Sequence, residues 1–174
     1  MEKEHFLLVR IGEEHFALKL EYIKIVELID STTYIRIADR SSHNCNWFIG
    51  WTQLTYLSPF KINTKSNRLT IDTAIIDTSK LLFKSELEYS LPSSLVVYQA
   101  GEKFISFTAD DAINVSKLNR KAIKQNTSSN NRYGDYSEGN VLVNGVDFTI
   151  INLLEYYFSK ENPCKKTGDY YEII

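Results

Sequence analysis

The chain has 174 residues, of which 43% are apolar and 13% aromatic, enough to build a core and to exclude disorder over most of its length. Its 20 basic and 22 acidic residues leave a formal net charge of −2, which gives no electrostatic footprint for nucleic acid. Two cysteines, Cys45 and Cys164, cannot make a disulfide framework, and the apolar run 6–11 is too short and is broken by Arg10 as a leader. No run reaches the length of a transmembrane helix, so a soluble, cytoplasmic protein of one or two small domains is expected, with no membrane insertion.

In chain order, residues 6–11 (FLLVRI) are rich in β-formers, Gly12-Glu13-Glu14 make a turn, and residues 16–20 (FALKL) return as a second strand. Residues 22–29 (YIKIVELI) fit a helix or a strand, and their Ile and Val favour the strand. A polar loop follows at 38–46, then a strand at 48–57, a loop at 59–68, a strand at 69–76 and a short helical turn at 78–83. Further strands are expected at 95–98 and 104–108 around Ala100-Gly101-Glu102, and residues 112–118 are extended or irregular. Residues 125–131 (QNTSSNN) are a polar, low-complexity loop. Asn144-Gly145 between 141–143 and 146–151 is the strongest hairpin signal, because both residues tolerate the positive φ of a type I′ turn. Residues 153–158 read as a short helix and 159–174 as a tail, whose GDYYEII end has the pattern of an edge strand.

The pattern occurs twice. Gly12 and Gly50 are 38 positions apart, and so are Gly101 and Gly139. Gly50 to Asp77 spans 27 positions where Gly139 to Asn152 spans 13, which places 14 extra residues around 57–70. A unit of this length repeated twice is no solenoid and fits two related small β-subdomains packed together.

Catalytic and metal chemistry is weakly represented. His43 and Cys45 share a loop, but there is no CxxC, and His5, His15 and Cys164 do not complete a zinc spacing. Asp110-Asp111 would point to opposite faces of a strand and read as an end-of-strand turn. No nucleophile elbow, phosphate loop or HExxH is present. Trp47, Trp51 and Tyr56 gather around Gly50, either as core or as interface aromatics.

The ordered set FLLVRIGEEHFALKLEYIKIVELI, TYIRIADR, WFIGW, AIIDTSKLL, SLVVYQAGEKFISFTADDAINVSKL and GNVLVNGVDFTIINLLEYY resembles, over residues 5–158, the CheW-like domain of bacterial chemotaxis coupling proteins. The resemblance implies a mainly β fold of two small five-stranded, SH3-like barrels with short helices. On that reading residues 1–158 are one CheW-like domain, with subdomains at about 5–90 and 91–158 and room for strand exchange at the termini. It also implies a non-enzymatic adaptor without cofactor or metal. Its partners would be the regulatory domain of a chemotaxis histidine kinase and the cytoplasmic tip of a chemoreceptor. Ile25, Glu27 and Leu28 match partner-lining positions of the family, and Gly50 matches the glycine near its kinase-facing surface. Trp51 and Leu54 follow in the same segment and complete the expected partner-binding set.

One departure is local. After that glycine the family carries an apolar-Asn-Leu-Arg-Gly run, and here Gln53 replaces the Asn, Leu54 is kept, and Thr55 and Tyr56 stand at the Arg and Gly positions. The departure and the extra segment leave open a divergent adaptor of a twitching-motility or other chemosensory pathway. An oligonucleotide-binding barrel, which needs a basic, aromatic-lined face, and a small hydrolase on a β scaffold are the competing classes.

Overall fold

The computed structural model describes residues 3–30, 32–37, 46–57, 68–83, 93–125 and 133–159. His43, Cys45, Cys164, most of the 125–131 and 57–70 segments and the tail beyond 159 lie outside these residues. The elements are β1 (Lys3–Ile11), β2 (Glu14–Lys19), β3 (Ile23–Leu28), β4 (Arg36–Ile37), β5 (Phe48–Leu57), β6 (Arg68–Ile76), α1 (Thr78–Phe83), β7 (Ser94–Ala100), β8 (Lys103–Ala109), β9 (Asp111–Asn119), β10 (Ser137–Val143), β11 (Val146–Ile151) and α2 (Leu153–Ser159). The 112–118 segment is thus a strand, and the 22–29 segment is β3, preceded by a 3-10 turn at Leu20–Tyr22.

The strands form two sheets, β10-β11-β2-β1-β9 and β3-β7-β8-β6-β5-β4. Each sheet takes strands from both halves of the sequence: β1 and β2 join β9, β10 and β11, while β7 and β8 join β3 to β6. The two sheets repeat one design. The single parallel pairing of each, β11 on β2 and β6 on β8, has matching register, with Thr149 opposite Phe16 and Ala74 opposite Ile105. The antiparallel pairs β1–β9 and β3–β7 carry a bulge at equivalent places, between Leu8 and Val9 and opposite Val97 and Tyr98. β4 is the one strand without a full counterpart, because Lys124 makes only a single bridge to Asn140 at the matching point.

Turn chemistry sets these registers. Gly12 and Gly101 hold φ of +61° and +64° between paired strands, a region that glycine enters without a β-carbon clash. Asn144 and Gly145, at φ of 50° and 81°, make the expected positive-φ turn between β10 and β11. Both helices begin at a side chain that substitutes for the missing helical acceptor. Asp77 Oδ1 accepts the Lys80 amide at 3.2 Å and Asn152 Oδ1 accepts the Glu155 amide at 3.1 Å.

Packing follows the same plan. Phe6, Leu8, Ala17, Val141, Phe148 and Ile150 form a core on one face of the five-stranded sheet, with Leu118 of β9 against it. Leu54, Ile71 and Val97 do so on the six-stranded sheet, joined by Ile25, Tyr56 and Phe104. Because β3 and β5 lie near opposite ends of that sheet yet share one cluster, the sheet curls on itself. The other faces of both sheets meet at a central core that includes Val9, Phe16, Ile76, Tyr98, Ile105 and Phe107, capped by Leu81 and Leu82 of α1 and Tyr156 and Tyr157 of α2. Each such side chain contributes roughly 1.5–3 kcal/mol when removed from water, so this junction dominates stability.

Candidate functional site

A groove of about 770 Å³ opens on the six-stranded sheet. Glu27 of β3 and Thr32, Thr33 and Tyr34 of the following segment form one side, Arg36 and Trp51 one end, and Thr52 to Thr55 of β5 with Thr70 and Asp72 of β6 the other side. It therefore runs along the line where the β3 end of the curled sheet approaches the β5 edge.

Three of the six residues expected to face a partner come together there: Glu27, Trp51 and Leu54. The alternation of β3 explains the position of two others. Ile25 and Glu27 face the curled interior, half-buried, whereas Leu28 points the opposite way and is 72% exposed. Ile25 packs with Leu54, Ile71 and Val97 beneath the groove instead of lining it. Gly50 is buried at a bulge, and a β-carbon there would overlap the Arg36 carbonyl oxygen, so its local reason is close backbone approach.

The aromatic trio separates. Trp47 is a core residue, set edge-to-face against Tyr157 with ring centres 5.2 Å apart. Trp51 is half-buried in the groove, with Phe48 edge-on at 4.8 Å and the Arg36 guanidinium 4.7 Å above its ring. Tyr56 lies by the small core, with Lys24 Nζ 6.0 Å from its ring centre.

Several lining residues have no distinctive sequence motif. Tyr34 and Arg36 belong to the TYIRIADR stretch, to which the resemblance assigns no partner-binding residue, and Asp72 is simply the polar partner of Gln53 across the β5–β6 pair. The one usable signal was Asp30. Its carboxylate accepts the Thr32 amide at 2.7 Å and the Thr32 hydroxyl at 2.5 Å, a turn that fixes where Thr32–Thr33 begin, and these bonds hold its pKa below the usual carboxylate value. Thr52 Oγ1 donates to the Tyr34 carbonyl at 2.7 Å and ties this segment to β5.

A second polar cluster lies at the ends of β1 and β2. Lys19 reaches Glu138 at 2.6 Å and Glu4 at 3.6 Å, and Arg120 reaches Glu4 at 2.7 Å. Burial alone would lower the Lys19 pKa, but the bond to Glu138 and the two carboxylates outweigh it and raise it. Among the described residues no group of three or more His, Cys, Asp or Glu is placed to hold a metal ion. Asp110 stands in the bend after β8 and accepts the Gly12 amide, as an end-of-strand turn would.

The chain is similar to a solved structure, the scaffolding protein TtCheW from Thermoanaerobacter tengcongensis, over 88% of this chain and 86% of that one, with a TM-score of 0.61 at 15% sequence identity. The fold is that of a CheW-type scaffolding protein. No protein-family model matches the chain significantly, and no curated protein sequence does either. The CheW-like fold is thus carried by strand order and packing, with little residue identity. No helix among the described residues is long and apolar enough to cross a membrane.

Proposed function

We propose that the chain is a non-enzymatic adaptor of a bacterial chemosensory pathway, one CheW-like domain over residues 1–158 that couples a chemoreceptor tip to a histidine kinase. The observation that carries this reading is the groove in which Glu27, Trp51 and Leu54 converge on a CheW-like fold. A half-buried carboxylate and a half-buried aromatic ring lining one groove suit protein recognition: the ring supplies contact area and the charge fixes register. An adaptor needs two surfaces that can be occupied together, and the groove on the six-stranded sheet supplies one of them.

A specific observation favours a divergent pathway as the second reading. β5 and β6 have ten and nine residues where their counterparts β10 and β11 have seven and six, and the rest of the 14-residue difference lies in their connection. The lengthened hairpin borders the groove at Thr55 and Thr70, where a partner other than the usual one would meet it.

The test is a pull-down from the source cells with the purified chain as bait, read by mass spectrometry. Recovery of a chemotaxis-type kinase or a chemoreceptor is the expected result. Recovery of neither, from cells that express both, overturns the coupling role.

A further inference from the structure

The groove follows a sheet edge that is left open. At the matching point of the five-stranded sheet Asn140, the counterpart of Trp51, is bridged in the same way, because the Lys124 amide donates to the Asn140 carbonyl at 2.8 Å and the Asn140 amide donates back at 3.0 Å. In the six-stranded sheet β4 covers β5 only at Gly50 and Trp51, and among the described residues no strand pairs with that edge from Thr52 to Leu57. Exposed edges are ordinarily guarded by charge, proline or a bulge. The stretch Thr52-Gln53-Leu54-Thr55-Tyr56-Leu57 has no charge and no proline, and its register with β6 is unbroken. Tyr34, the most exposed large apolar side chain described at 80% exposure, lines the groove beside it. Among the described residues Glu27 and Asp72 line the groove without an ion pair, and the one cation lining it, Arg36, is stacked on Trp51.

We propose that this groove takes an extended segment of a partner protein, added as a strand along Gln53–Leu57, with a lysine or arginine side chain reaching Glu27 and Asp72. The backbone edge selects an extended chain, Tyr34 selects an apolar side chain, and the two carboxylates select a cation. An identical edge from a second copy brings no basic residue of its own, since the stretch 52–57 has none. The proposal rests on the reading of this groove as a docking surface and not on which signalling protein supplies the segment.

The probe is a displayed library of random peptides about ten residues long, selected against the full chain, with the best binders then synthesised. Selected peptides are expected to alternate β-branched or aromatic residues with polar ones and to carry a basic residue. Asp72→Lys should weaken their binding roughly tenfold or more with an unchanged circular dichroism spectrum, and Glu27→Gln should weaken it in the same direction. Methylating every second peptide nitrogen should abolish binding in one register and spare it in the other, because an added strand donates only alternate amides to its neighbour. Equal tolerance of both registers, indifference to both substitutions, or no enrichment at all overturns the proposal. So does a concentration-dependent dimer in sedimentation that the peptides dissociate, which would assign the edge to a second copy. Failure to recover a kinase or receptor from cells leaves these binding results standing, so the two readings fail separately.

Discussion

Gly50 and Gly139 occupy equivalent places in the two sheets. A β-carbon at Gly50 would overlap the carbonyl oxygen of Arg36, and one at Gly139 would overlap that of Lys124. Each glycine starts a bulged hairpin, at the register shifts Phe48/Gly50 and Ser137/Gly139, and each lets a crossing segment bond to the strand. Gly50→Ala and Gly139→Ala should therefore each destabilise the fold by roughly 2–4 kcal/mol, since a backbone atom and not a flexible side chain must move. Gly101→Ala is the control. Nothing lies within 4 Å of its added carbon, and only its φ of +64° is strained, so it should lose about 1–2 kcal/mol. Urea denaturation of the three variants checks the order.

Asp77 and Asn152 cap the two helices in the same way, yet only one of them carries a charge. Burial raises the Asp77 pKa above its ordinary 3.8, against the lowering effect of the Lys80 amide and ammonium. A raised carboxyl pKa means that the folded state binds its proton more tightly than the unfolded chain, so the charge opposes folding at neutral pH and ceases to do so once protonated. Asp77→Asn keeps the cap and removes the charge. It should stabilise the protein at pH 7, with an advantage that fades as the pH falls toward 3.8. Asp77→Ala and Asn152→Ala, which lose the cap, should each lose about 1 kcal/mol. Thermal melts across this pH range separate the two effects.

The sequence displays the repeat unusually well, because paired glycines at equal spacing report turn geometry directly. The exchange of β1 and β2 between sheets is allowed for only by the family resemblance, as room for strand exchange at the termini, and not by the residue pattern itself. Periodicity identifies a strand without naming its neighbour, and the parallel pairings of β2 with β11 and β6 with β8 join residues over 30 positions apart. β9 reads ambiguously because most of its side chains are exposed or half-buried, which leaves no alternation to detect. Trp47 and Trp51, open as core or interface aromatics, prove to share one core at different depths. Trp47 is buried in the central core, whereas Trp51 packs at its margin and also lines the groove.

That difference gives each tryptophan its own signal. The variant Trp51→Phe, which retains Trp47, should emit at shorter wavelength and resist quenching by iodide. Trp47→Phe, which retains Trp51, should emit at longer wavelength and be quenched more readily, and a groove-bound partner should protect it. Equal quenching of both variants would contradict the placement of Trp47 against Tyr157.

Glu27 provides the sharpest test of the groove as a binding surface. It lies on the inward-facing side of β3 with Ile25, but unlike Ile25 it lines the groove. Reversing its charge should act on binding more than on folding, because no described ion pair depends on it. Glu27→Lys should weaken the affinity for the physiological partner by roughly tenfold, mostly through faster dissociation if the contact is desolvated in the complex. Leu28→Lys, on the opposite face of the same strand, should leave that affinity unchanged. Titration calorimetry with the recovered partner, alongside circular dichroism of each variant, measures both. If Leu28→Lys weakens binding and Glu27→Lys does not, the partner sits on the outward face of β3 and the groove is not its site.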